Sequence, residues 1–142
     1  MYDILFPYAG KYRFAKHFLG NRNIPAIDGG EMGEEFQCAK AIDAQPEVKY
    51  WLRNIARHPN SFRLPTSTDY FYPDFVAKLE DGRILVVEYK GGHLVDSQDT
   101  KEKEIMGQMW ESQSKGKGLF LLAVKNRDGK TIEQQIKEKV KN

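Results

Sequence analysis

The chain has 142 residues, of which 30% are charged and 40% hydrophobic, and its formal net charge is +2. This composition is ordinary for one soluble globular domain with a proper core. The sequence has no long apolar run, which excludes a membrane span, and the first residues lack the basic region of a secretory signal. A single cysteine, Cys38, excludes an intramolecular disulfide and a cysteine-based zinc finger, so we expect a reducing cytoplasm.

An irregular arm and a helix are predicted at the start of the chain. Residues 1–30 are rich in aromatic residues and interrupted by proline and glycine, which favours short strands or an irregular arm. A helix is predicted from Met32 to Ala44, and Glu35 lies on its apolar stripe. That stripe consists of Cys38, Ala39 and Ile42. A carboxylate on the core face of a helix is unusual, and a metal or proton role is one reason for it.

Strand-like segments follow this helix. Residues 47–53 alternate as a first strand, with Val48, Tyr50 and Leu52 on one face. Residues 84–90 form an apolar, β-branched run that predicts a buried strand, and the run before it completes a hairpin.

A helix, a last strand and a polar terminal helix complete the predicted chain. The second helix is expected from Ser97 to Lys115. Residues 118–124 are predicted to form a buried fourth strand, and residues 131–141 are predicted to form the terminal helix. The apolar face of the second helix should consist of Ile105, Met106, Met109 and Trp110. The order helix, three strands, helix, strand predicts an α/β domain with a mixed sheet flanked by helices.

The length of the hairpin turn decides which side chains meet. A two-residue loop at Asp81-Gly82 would place Asp74 opposite Tyr89, on the face away from Glu88. A three-residue loop over 80–82, with Gly82 left-handed, would place Asp74 opposite Glu88 instead. The sequence permits both loops, and only the second one builds a metal site.

Asp74, Glu88 and Lys90 are the strongest candidates for chemistry. Glu88 and Lys90 are two residues apart on the predicted core strand and therefore share a face. Charges in such a position are costly unless they are paired or hold a metal. Mg²⁺ commonly takes one or two carboxylates, water and a substrate phosphate, so this set fits a magnesium-dependent phosphodiesterase, with Glu35 as a further acid. The alternative is a surface Glu–Lys pair beside a Pro-Asp turn. His93 follows Gly91-Gly92 near this set, where a substrate contact is an alternative to a surface role.

Several phrases of the chain resemble the PD-(D/E)XK nuclease superfamily. Pro73-Asp74, followed by Glu88-Tyr89-Lys90, resembles its motif, and the predicted element order is that of its core. Longer phrases at 35–43, 46–54, 71–76 and 82–91 resemble the C-terminal endonuclease domain of type III restriction subunits and restriction helicases. The resemblance covers roughly residues 31–124, which leaves 1–30 as the arm and 125–142 as a turn and helix.

The resemblance implies a restriction-endonuclease-like fold (an αβββαβ core) and cleavage of the DNA backbone with Mg²⁺, or with Mn²⁺ in its place. Asp74 and Glu88 would be metal ligands, Lys90 a catalytic lysine and Glu35 the acid of the first helix. Related domains follow a helicase or translocase motor and work with a specificity subunit. The alternatives are a free-standing junction or flap nuclease, and a non-catalytic nucleic-acid-binding module. Lys101 and Lys103, near the start of the second helix, are predicted to bind DNA phosphates.

Overall fold

The computed structural model describes residues 12–18, 20, 33–55, 61–66, 69–91 and 97–141. The elements in these ranges are α1 (Glu34–Ala44), β1 (Val48–Arg53), β2 (Leu64–Pro65), β3 (Tyr70–Phe71), β4 (Phe75–Leu79), β5 (Ile84–Tyr89), α2 (Gln98–Gln113), β6 (Gly118–Ala123) and α3 (Ile132–Val140).

A four-stranded sheet in the order β1-β4-β5-β6 organises the described chain. β1, β4 and β5 are antiparallel neighbours, whereas β6 pairs parallel to β5 after the chain has crossed over through α2. The domain is therefore a mixed α/β structure, as the sequence predicted. The short strands β2 and β3 form a separate two-stranded sheet that was not predicted.

Two apolar clusters lie on opposite faces of the sheet. α1 and α3 contact each other on one face, while α2 contacts β6 and β2 on the other. Leu85 and Val87 of β5 belong to the α1 and α3 side, and Val86 belongs to the α2 side. This alternation fixes the directions in which the following residues of β5 point.

The hairpin between β4 and β5 adopts the three-residue loop. Val76 pairs with Val86 and Ala77 pairs with Leu85. The amide of Leu79 donates to the carbonyl of Arg83 at 2.9 Å, and the loop between them ends at Gly82 with φ +93°. A left-handed glycine is the conformation that this loop requires. The register on which the metal-site hypothesis depended is confirmed.

The predicted alternation of β1, with Val48, Tyr50 and Leu52 on one face, is wrong. Val48 and Trp51 are fully buried, whereas Tyr50 and Leu52 are only partly buried. The pairing with β4 is irregular between Val48 and Tyr50, because a bulge there inserts an extra residue. A bulge shifts the alternation by one residue, so Trp51, rather than Tyr50 or Leu52, points into the core.

The predicted apolar face of α2 is also wrong in part. Ile105 and Met109 are 53% and 49% exposed. The helix instead turns Thr100 and Gly107 inward, with Trp110 packed against the cluster on that side. A β-carbon at position 107 would lie 2.3 Å from the ring of Phe120, so glycine permits this close approach. The apolar stripe alone did not reveal a helix that packs through a glycine.

The described part of the N-terminal arm packs beside β1. The carboxylate of Asp43 accepts hydrogen bonds from the amides of Ala15 and Lys16 and from the indole N–H of Trp51, at 2.8–3.0 Å. His17 Nε2 accepts a hydrogen bond from the amide of Arg53 at 3.1 Å. A buried acid of α1 thus fixes this segment against the edge of the sheet. The rest of the predicted arm lies outside the described residues.

At the other end of the chain, the predicted turn and terminal helix are confirmed. Arg127 and Lys130 form an isolated antiparallel bridge at the turn. α3 begins with a capping box, in which Thr131 and Gln134 each accept from the other's backbone N–H.

Candidate functional site

Asp74 and Glu88 meet where β4 begins and β5 ends. The amide of Asp74 donates to Glu88 Oε1 at 3.1 Å, and the amide of Tyr89 donates to Asp74 Oδ2 at 2.9 Å. The hairpin register that pairs Phe75 with Val87 brings the preceding and following residues together. Each carboxylate is thus held by the backbone of the strand that carries the other.

Two lysines converge on one oxygen of Glu88. Lys90 Nζ lies 3.2 Å from Glu88 Oε2, as expected for two residues on one face of a strand. Lys103 Nζ, which comes from α2, lies 3.8 Å from the same oxygen. The side chain of Glu88 is only 5% exposed. The face of β5 that carries Glu88 and Lys90 is therefore the one that α2 covers.

The carboxyl groups of Asp74 and Glu88 lie close together, and this arrangement disfavours the ionised form of Glu88. Burial and the nearby charge of Asp74 raise the pKa of Glu88 to about 8, although Lys90 and Lys103 act in the opposite direction. Burial lowers the pKa of Lys90, but the charges of Glu88 and Asp74 and the hydrogen bonds to Glu88 and Lys103 together outweigh this effect, so the pKa is raised. A carboxylate whose ionised form is disfavoured by burial and a like charge gains from any further cation brought beside it.

Arg53, at the end of β1, connects Asp74 with Glu35. Its Nη2 lies 2.7 Å from Glu35 Oε1, and its Nη1 lies 3.7 Å from Asp74 Oδ1. Nη1 also donates to the backbone carbonyls of Asn54 and Asp74, at 2.7 and 3.0 Å. The amide of Asn54 donates to the same Asp74 carbonyl at 2.8 Å. The turn that presents Asp74 is consequently anchored by the end of β1.

Cys38, which lies on α1, is buried near enough to the acids of the site to be affected by their charges. Its thiol is fully buried, and burial, together with the charges of Asp74, Glu35 and Glu88, raises its pKa well above the usual value. A protonated and inaccessible thiol is not a nucleophile. Cys38 is therefore a packing residue of the apolar core.

The donor set suits Mg²⁺ or Mn²⁺ in part. Hard cations take carboxylate oxygens and keep several waters, and Asp74 with Glu88 supplies two adjacent carboxylates whose negative charge favours a cation. Across the described ranges, no group of three or more His, Cys, Asp or Glu side chains is arranged to hold a metal ion. Glu35 is joined to the pair through Arg53. The residues thus fit an ion held by two carboxylates and water.

The remaining predicted site residues have different surroundings. Lys101 is exposed, as a surface phosphate contact requires, whereas Lys103 is turned toward Glu88 and is 20% exposed. His93 lies outside the described residues. Arg53 was not predicted, because the prediction for β1 rested on the apolar face of Val48, Tyr50 and Leu52. Arg53 shares a face of β1 with the buried Trp51, and that face is turned toward α1 and Glu35.

Comparisons of the chain with protein-family models, with curated proteins and with solved structures find no match. In the part of the chain that the structure describes, no helix is both long and apolar enough to cross a membrane.

Proposed function

We propose that this domain is a metal-dependent DNA endonuclease of the PD-(D/E)XK type. The observation that carries the proposal is the pairing of Asp74 with Glu88, beside Lys90, at one end of the central hairpin. Two carboxylates and a lysine in one buried pocket are the groups that metal-assisted phosphodiester hydrolysis uses. The element order, with a parallel strand added after the crossover helix, supports the same proposal.

The proposed reaction is the hydrolysis of a phosphodiester bond. The oxygen of a water forms a bond to phosphorus, one phosphorus–oxygen ester bond breaks, and the proton released by the water is balanced by the proton that the leaving alkoxide takes up. Asp74 and Glu88 would hold Mg²⁺ or Mn²⁺, which when bound lowers the pKa of its water and stabilises negative charge on the phosphate. Lys90, kept as an ammonium by its ion pair with Glu88, would orient the water or stabilise the developing charge.

The identity of the substrate rests on the resemblance of the sequence to restriction-type nuclease domains. DNA is accordingly the substrate that we propose, and a helicase or translocase motor with a specificity subunit would deliver it. A free-standing nuclease that acts on junctions or flaps would need the same site and differs only in the DNA structure that it cuts.

A non-catalytic binding module is the rival from another class. Such a module has no need for Asp74 and Glu88 to be buried side by side, because burying two like charges is unfavourable. Their pairing, with three basic side chains around them, favours catalysis over simple binding.

The proposed function is tested by incubating the purified chain with supercoiled plasmid, a flap and a four-way junction, in Mg²⁺, Mn²⁺ and EDTA. We expect nicking or linearisation in either metal and intact DNA in EDTA. Metal binding is measured in parallel by calorimetry, since it requires no motor or specificity subunit. The proposal is overturned if the chain neither binds Mn²⁺ nor cleaves any of the three substrates.

A further inference from the structure

Lys103 lies in the site, although the sequence predicted it as a DNA-phosphate contact near the start of α2. Its ammonium is 3.8 Å from Glu88 Oε2 and 3.3 Å from Asp99 Oδ2. It also lies 5.2 Å from the centre of the Phe71 ring, within the range of a cation–π contact. Lys103 therefore has one partner inside the site and another at the surface, where the side chain of Asp99 is 74% exposed.

Lys103 is the more weakly held of the two ammonium groups at Glu88. Lys90 lies 3.2 Å from the shared oxygen and comes from the chain segment directly after Glu88. Lys103 lies farther away and comes from the first turns of α2, next to its alternative partner Asp99. A protonated lysine has no lone pair for a metal, so a cation on the carboxylates repels both ammonium groups. Lys103, which has the weaker contact with Glu88 and a second partner at the surface, is the ammonium group that moves away.

We infer that Lys103 is a displaceable counter-ion of the site. It lies beside Glu88 Oε2 when no divalent cation is bound, and it turns outward to contact a substrate phosphate when the cation takes its place. This inference rests on the proposed function and extends it, because it adds a second lysine that touches the phosphodiester. It also assigns Lys103 a role different from that of a general DNA-binding residue on the helix surface.

Lys101 provides a matched control on the same helix. It lies two residues earlier in α2, its side chain is exposed, and a spacing of two residues points it about 200° away from Lys103. Replacing either lysine by glutamine removes one positive charge from the same turn of α2. A general electrostatic effect would change the Mn²⁺ affinity of both variants alike. Displacement at Glu88 would change the Mn²⁺ affinity of Lys103→Gln alone.

The test compares Lys103→Gln, Lys101→Gln and the wild-type chain in two measurements. Calorimetric titration with Mn²⁺ in the absence of DNA should give Lys103→Gln a roughly threefold to tenfold higher affinity, because a competing charge is gone. Plasmid cleavage at saturating Mn²⁺ should be slowed about tenfold or more in that variant, because a phosphate contact is lost. Lys101→Gln should keep the Mn²⁺ affinity of the wild type, because its exposed side chain points away from Lys103 and Glu88.

The possible failures can be told apart. A wild-type chain that neither binds Mn²⁺ nor cleaves would overturn both the proposed function and the role of Lys103. A wild-type chain that does both, beside a Lys103→Gln variant with unchanged or weaker Mn²⁺ affinity, would overturn the displacement alone. Tighter Mn²⁺ binding with an unchanged cleavage rate would overturn the phosphate contact.

Discussion

The backbone N–H of Asp74 donates a hydrogen bond to Glu88, and the residue after Glu88 returns one to Asp74, at 3.1 and 2.9 Å. Neither carboxylate can turn away without losing a bond to the opposite strand. A typical hydrogen bond contributes about 0.5–1.5 kcal/mol, and one to a charged group about 1.5–3 kcal/mol, so the pair is held in place before any ligand binds. Substitutions that keep the shape of each side chain are therefore the informative ones at these two positions.

Lys90 should matter for the reaction more than for metal binding. Lys90→Ala removes the ammonium at Glu88 without removing a carboxylate, so Mn²⁺ affinity should be retained or increased. Cleavage should fall by about a hundredfold or more, because a charge that stabilises the reacting phosphate is missing. Calorimetry measures the Mn²⁺ affinity, and single-turnover cleavage on the same protein sample measures the reaction rate. Cleavage at the wild-type rate would remove Lys90 from the proposed site.

Glu35 should act through Arg53. Glu35→Gln weakens the 2.7 Å ion pair, and the cleavage rate should fall less than it does when Asp74 or Glu88 is replaced. Arg53→Met leaves two acids without their cation and should destabilise the fold by about 3–5 kcal/mol. The double variant should be more stable than the sum of the two single losses predicts, and urea unfolding of all three proteins measures this coupling. Strict additivity would mean that the ion pair has no energetic role.

His17 should make the domain less stable in mild acid. Burial lowers its pKa to about 4, although Asp43 acts in the opposite direction, and its Nε2 accepts the amide hydrogen of Arg53. Between about pH 6.5 and pH 4 the unfolded chain binds a proton that the folded chain does not. The free energy of unfolding therefore decreases as the pH falls through this window, by on the order of 3 kcal/mol.

The matched control for this prediction is His17→Gln, which keeps a hydrogen-bond acceptor and does not titrate. Urea unfolding at pH 7 and pH 4.5 should show a smaller loss of stability in the variant than in the wild type. Equal losses in both proteins would show that other groups, such as the carboxylates, cause the whole effect.

Gly107 tests how α2 lies on the sheet. Gly107→Ala would place a β-carbon 2.3 Å from the ring of Phe120, and such overpacking costs about 1–3 kcal/mol. Alanine recovers less than about 1 kcal/mol of helix propensity, so a net loss of stability is expected. Ile105→Ala, on the exposed face, should change stability by less than about 0.5 kcal/mol. The reverse order of the two effects in thermal or urea unfolding would mean that α2 is rotated.

Most of the elements could be predicted because their signals are local. Residues 84–90 carry a continuous apolar run, the turn before them contains Gly82, and Ser97 caps α2 as a helix start requires. The hairpin loop could not be chosen from the sequence, since Asp81-Gly82 suits both lengths. The choice between them depends on the pairing of the two strands along their whole length.

The parts of the site that escaped prediction depend on long-range packing. The bulge in β1 reverses which residues face α1, and no local pattern marks it, so Arg53 was overlooked. Lys103 was expected to contact DNA phosphates because it lies near the start of α2, and the apolar residues of that helix suggested another inward face. The inward stripe instead consists of Thr100, Lys103, Gly107 and Trp110, which have helical spacing but include just one large apolar side chain.

Plasmid cleavage by Asp74→Asn, measured beside the wild-type chain in Mn²⁺, tests the central claim most directly. Asparagine keeps an oxygen that can accept the amide hydrogen of Tyr89 but lacks the charge that a divalent cation requires. We predict metal-dependent cleavage by the wild type, none by the variant, and the same unfolding transition in both. Cleavage by Asp74→Asn at the wild-type rate would contradict the assignment of this pocket as the nuclease site.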